Sequence, residues 1–220
     1  MLFIKDMNWK NVSVWQWQQL QAIAKKNEDT ELDKAVKTLA ILTDRTENEI
    51  DSLSVAKLTQ ELKSISWISK EEAKPKPVDV IKVHGKRYRC IYDIRNIPFA
   101  RYIESKFFAE DVVLNLHKIM ASMVRPMKLT WRGWKVAKYD ASKHEEYAQD
   151  LLSAPFESVY GSVVFFCQVF SDSIKSSKDF MKTDLMENGM TEEEAEMTME
   201  VLCGAMDGFI RLPLLPNTKG

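Results

Sequence analysis

The chain has 220 residues, 45% of them hydrophobic and 29% charged, a balance close to that of ordinary globular domains, which excludes a low-complexity or globally disordered polymer. Its 31 basic and 32 acidic side chains leave a formal charge of -1, so no overall field draws it to nucleic acid or to an anionic membrane, and any such binding must be local. The opening Met1–Asp6 is too short an apolar stretch for a secretory segment, and Val163–Cys167 is far below the roughly 20 residues of a membrane span, which predicts a cytosolic protein without membrane contact. Cys90, Cys167 and Cys203 are odd in number, far apart and form no C-x-x-C pair; they read as reduced thiols.

Three apolar periodicities fill the first 70 residues. Ser13, with Gln16 three positions on, has the form of a capping box ahead of Val14, Trp17, Leu20 and Ala24. A second helix is expected over Leu32–Leu42, carrying Leu32, Val36, Leu39 and Leu42. Thr46 and Glu49 form another capping-box pattern, and a third stripe starts near Ser54 with Val55, Leu58, Leu62, Ile65 and Ile68. These make an N-terminal helical unit, residues 1–69. Pro75 and Pro77 cannot continue a helix, so residues 70–77 read as a linker.

Residues 78–220 then read as a hairpin plus a helical domain. Two β-rich runs, 78–83 and 86–92, flank His84-Gly85, the signature of a two-residue hairpin turn. Alternation puts Tyr88, Cys90 and Tyr92 on one face and Arg87, Arg89 and Ile91 on the other. Pro98 opens a helical stretch with Phe99, Tyr102, Ile103 and Phe107; another helix carries Val112, Leu116, Ile119 and Met123 until Pro126 stops it. Residues 128–136 fit either a second short hairpin or an irregular loop. Phe156, Tyr160, Val163, Cys167, Phe170 and Ile174 recur at alternating spacings of 4 and 3, which keeps one seam of a long helix apolar. Asn188-Gly189 closes it, and Thr191 with Glu194 reopens a final helix through Ala195, Met199, Leu202 and Met206. The fold class is therefore mainly α, with a central β-hairpin.

No pattern implies catalysis, a metal or a cofactor. His144-Glu145-Glu146-Tyr147 begins like a zinc-protease helix, but Ala148 stands where its second histidine belongs, and the seven glycines form no phosphate loop. Two regions carry opposite charge. Residues 70–89 hold seven basic side chains against three acidic, a net of +4, with Tyr88 among them; Lys82, Lys86, Arg87, Tyr88 and Arg89 are the candidates for nucleic-acid contact. Residues 179–207 hold nine acids against Lys182, a net of -8, an opposition that suits head-to-tail contact between copies. Trp15 and Trp17 alternate on a short helix, so one of them is expected to anchor a partner, together with the seam Phe156, Tyr160, Val163, Phe170 and Ile174.

The order of Trp15-Gln16-Trp17-Gln18-Gln19-Leu20, Leu39–Asp44 with Glu47–Ile50, Ile81–Tyr88, Tyr92-Asp93-Ile94 and Tyr102-Ile103-Glu104 resembles small structural and tail-assembly proteins of tailed bacteriophages over residues 12–125. Phe99-Ala100-Arg101 departs from that pattern, and both an assembly chaperone and a virion component stay open. The resemblance implies a non-enzymatic, oligomeric protein acting by contacts with other virion or tail proteins, in the host cytoplasm during assembly or within the particle.

Overall fold

The computed structural model describes residues 7–92 and 111–200, apart from the side chains at 170, 171 and 173–178. Helix α1 (Val14–Ala24) starts where expected: Ser13 Oγ accepts from the Gln16 amide at 3.1 Å and the Gln16 side chain accepts from the Ser13 amide at 2.9 Å. The same reciprocal cap opens α2 (Glu31–Thr43) at Thr30 and α3 (Glu47–Asp51) at Thr46. The third stripe is broken into α4 (Val55–Ser64) and α5 (Trp67–Lys70).

Strands β1 (Val80–Val83) and β2 (Lys86–Cys90) form the expected hairpin, with His84 at φ 47° and Gly85 at φ 75°, the left-handed pair a tight two-residue turn demands. Helix α6 (Val112–Met123) runs straight into β3 (Val124–Thr130), which pairs with β4 (Gly133–Val136). The second hairpin, left open by periodicity, thus exists, and a four-stranded antiparallel sheet of order β1-β2-β3-β4 joins it to the first. Pro126, expected as a helix stop, lies inside β3. Its carbonyl accepts from Ala137 at 2.8 Å, so its missing amide faces the side where β4 has already ended, which is why a central strand tolerates it.

After a short 3-10 turn come α7 (His144–Leu152) and α8 (Phe156–Glu187), a single helix of 32 residues. Gly189 (φ 95°) lets the chain reverse, and residues 192–200, here α9, run back along α8 from a Thr191–Glu194 capping box. The whole is mainly α with a small sheet. The stretch with Phe99, Tyr102, Ile103 and Phe107, and Cys203, Leu202 and Met206, lie outside the described residues.

One apolar cluster runs through both halves of the chain, uniting Trp9, Trp17, Leu39 and Ile50 with Tyr88, Leu116, Ile119, Leu151, Phe156 and Val163. Described residues before and after the 70–77 segment thus share one core. Residues 74–78 are a strap on α8: the Lys74 amide donates to Glu157 at 2.6 Å, the Val78 amide to Ser162 Oγ at 3.2 Å, and Gly161 gives the Lys76 backbone room to pass. The two prolines stand where no helix forms, and such chain can also lie across a helix: here the Lys74 and Val78 amides find acceptors there.

Candidate functional site

The residues expected to anchor a partner divide sharply. Trp17 is 2% exposed, stacks on Phe156 with ring centroids 4.5 Å apart, and meets Tyr160 at 6.0 Å. Phe156, Tyr160 and Val163 are buried with it. These four are core, a correction to the docking seam read from the sequence: a stripe that is greasy at helical spacing serves intramolecular packing as well as a partner, and here α1 covers it. Trp15, on the opposite side of α1, is 42% exposed. The side chains of Phe170 and Ile174 lie outside the described ones.

The basic hairpin divides as well. Directly opposed residues of an antiparallel pair share a face, and the register Ile81↔Tyr88 and Cys90↔Val124 turns Ile81, Val83, Tyr88, Cys90 and Val124 inward, all buried. Tyr88 packs on Tyr147 of α7 at 5.8 Å and its hydroxyl donates to Asp150; burial and that carboxylate push the phenol well above its ordinary range. Lys86 donates to Asp150 at 2.7 Å and to Glu146 at 3.2 Å, and the Asp150 bond raises its pKa. Lys86 and Tyr88 therefore tie the sheet to α7 and leave the set of nucleic-acid candidates.

The opposite face gathers the rest. The row Lys82↔Arg87↔Met127↔Val136 and the pair Leu129↔Trp134 point away from the helices, with Arg89 opposite Arg125. Arg87 lies over the Trp134 ring at 4.5 Å. The β2–β3 register reaches only Arg87↔Met127, so Leu129, Trp134 and the turn between them extend beyond β2. At that tip Trp131 is 87% exposed with Arg132 over its ring at 4.2 Å, Leu129 is 68% exposed, and Val136 is exposed. Residues 80–90 and 124–136 hold eight basic side chains and no acidic one; Lys86, Lys128 and Lys135 stand on the other face, and Arg89 meets Asp79 at 3.7 Å. The second half of this face, 124–136, was not singled out from the sequence, although its alternation and its lack of acids were there to be read.

The other conspicuous surface is the hairpin of α8 and α9. Ala195 and Met199 are buried, and Lys182 donates to Glu192 and Glu196 at 3.0 Å each, holding the two helices together. Around that pair Asp184, Glu187, Glu193 and Glu200 are exposed, as are Phe180 (77%), Met186, Met190 and Met197.

Two polar pairs, one buried and one part-buried, bear on chemistry. Ser122 Oγ and His144 Nε2 lie 3.2 Å apart, a nucleophile–base distance, but Ser122 is 1% exposed and both groups also meet the Lys118 carbonyl, so the pair ties α6 to α7 rather than meeting a substrate. Gln18 of α1 donates to the carbonyls of Val113 and Leu114 at 2.8 and 2.9 Å and lies 3.2 Å from His117 Nδ1. Burial, with the Lys118 charge beside it, pushes His117 down to about 4. Between there and the unfolded value near 6.5 the unfolded chain takes up a proton that the fold refuses, so stability is undiminished above pH 6.5 and falls as pH drops. We expect His117 to account for a loss of about 2 kcal/mol between pH 7.5 and pH 5, read from urea midpoints. His117→Asn should remove most of that difference; an unchanged pH slope in the variant would show that another group carries it.

Burial pushes the thiols of Cys90 and Cys167 up to about 11 and about 12, so at neutral pH neither is a reactive thiolate. Among the described residues no group of His, Cys, Asp and Glu could hold a metal ion, and no helix is long and apolar enough to cross a membrane.

Comparison with protein-family models, with curated proteins and with solved structures gives no match.

Proposed function

We propose that this chain is a non-enzymatic assembly protein of a tailed bacteriophage, an assembly chaperone or a particle component, that works by docking other virion or tail proteins. The observation that carries the docking surface is the projecting β3–β4 hairpin, which keeps Leu129, Trp131 and Val136 in water although the same chain has buried Trp17, Phe156 and Val163. Apolar side chains at a protruding tip, ringed by Arg132 and Lys135, have the make-up of an interface centre with a charged rim. The phage setting rests on the resemblance over residues 12–125, which implies the host cytoplasm during assembly, or the particle itself, as the site of action.

Leu129→Ala with Trp131→Ala is expected to weaken binding to purified tail and virion proteins encoded beside this chain by tenfold or more, about 1.4 kcal/mol. The denaturation midpoint should stay put, because both side chains are exposed. Full binding by this double variant would remove the tip from the function.

A second reading follows from the cations. Lys82, Arg87 and Arg89 on the outer face and Arg132 at the tip could neutralise phosphates, with the exposed Lys128 and Lys135 beside them on the other face of the overhanging hairpin. Under this reading the affinity for single-stranded DNA falls steeply between 50 and 200 mM salt, by orders of magnitude if six phosphates are contacted, whereas a salt-insensitive or undetectable affinity excludes it.

A further inference from the structure

We infer that copies of this chain associate head to tail, with the acidic α8–α9 hairpin of one copy seated on the basic outer face of the sheet of the next. The inference rests on the reading of the chain as a protein-docking module and names one partner for that surface, a second copy. Three observations carry it.

First, the two surfaces are complementary in charge. Residues 179–200 hold eight acids against Lys182, whose ammonium is already engaged by Glu192 and Glu196, while the outer face of the sheet carries Lys82, Arg87, Arg89 and Arg125, with Arg132 at its tip, against Asp79, which Arg89 meets at 3.7 Å. Second, both surfaces mix their charges with exposed apolar groups in the same way. Glu193, Met197 and Glu200 stand at i, i+4 and i+7 and so share one face of α9, with Met197 67% exposed between two carboxylates. On the sheet, Lys82, Arg87, Met127 and Val136 form one cross-strand row, with Leu129 and Trp131 beyond it. Neither surface is a solvated charge patch alone; each offers thioethers, rings or aliphatic groups that gain from being covered. Third, the two surfaces belong to different elements, so a contact between them is heterologous: it leaves one free surface of each kind at the ends of an open row and allows that row to grow or to close into a ring.

The test uses purified full chain by itself, with sedimentation velocity as the readout. The wild type should grow in mass with concentration at 50 mM salt and return to monomer at 500 mM, because the contact is screened. Lys82→Glu with Arg132→Glu reverses the sheet, and Glu193→Lys with Glu200→Lys reverses the hairpin. All four positions are exposed, and an unchanged melting temperature confirms that each variant folds. Each reversed chain alone should associate about a hundredfold more weakly than wild type, since like charges now face each other. Mixed one to one, the two reversed chains should regain assembly, because each supplies the surface that the other's reversal now attracts.

A wild type that stays monomeric at every concentration overturns the inference, as does assembly that ignores both reversals or a mixture that fails to recover. If the wild type stays monomeric while single-stranded DNA binds it, and sheet reversal removes that binding, the basic face belongs to a polynucleotide. A wild type that does not self-associate yet captures tail proteins sinks this inference alone; a wild type that captures none sinks the docking function.

Discussion

Trp17→Ala is expected to lower stability by about 3–5 kcal/mol, the range for truncating a fully buried aromatic side chain, while leaving any association per folded molecule unchanged. The indole is 2% exposed and lies against Phe156 and Tyr160, so its removal opens a cavity between α1 and the first turns of α8. That junction is fixed by backbone as well: the Val14 amide donates to the Ala154 carbonyl at 3.0 Å and the Phe156 amide to the Val12 carbonyl at 2.8 Å. With its neighbours held in this way the site collapses poorly into the hole, which pushes the loss toward the upper end. Trp15→Ala, by contrast, should stay within about 0.5 kcal/mol of wild type. Urea denaturation of both variants decides the matter; an unshifted midpoint for Trp17→Ala with weakened association would return this residue to the docking surface.

Gly161→Ala should also destabilise, and here two effects of opposite sign compete. In an open helix the substitution would gain about 1 kcal/mol of helix propensity. In α8 the added Cβ would lie 2.5 Å from the backbone C and N of Lys76, closer than any real contact, and backbone cannot swing aside as a flexible side chain does. Overpacking of this kind costs about 1–3 kcal/mol. The strap would have to lift, loosening the Lys74–Glu157 and Val78–Ser162 bonds and the Tyr92 hydroxyl, which donates to the Val78 carbonyl at 2.6 Å. The clash wins: we expect a net loss of about 1–2 kcal/mol, read as a lower urea midpoint, and a midpoint at or above wild type would mean that the strap yields freely.

What could be read along the chain and what could not differ in range. Capping at Ser13, Thr46 and Thr191 and the turn at His84-Gly85 depend on groups within three or four residues of one another, so their signatures sit in consecutive letters. The inward set Tyr88 and Cys90 followed from period-2 alternation for the same reason. Leu32 and Val55, by contrast, head their stripes and yet are exposed, since a helix end can overhang the surface it packs on. The pairing of β2 with β3 joins segments more than 30 residues apart, and only it shows that Arg87 and Met127 are neighbours.

The local order of helices and turns, the mainly α class and the opposed charges of two regions were thus set by the sequence alone, because each depends on near neighbours or on composition. Tertiary structure alone decided which apolar stripes are core and which are surface, that residues 74–78 lie on a helix, and that Lys86 and Tyr88 face a carboxylate while Lys82 and Arg87 face outward. The physical reason is that burial is a property of pairs of surfaces: the Trp17 stripe carries the same letters whether Phe156 or another molecule covers it, and only the path of the chain in space supplies the cover.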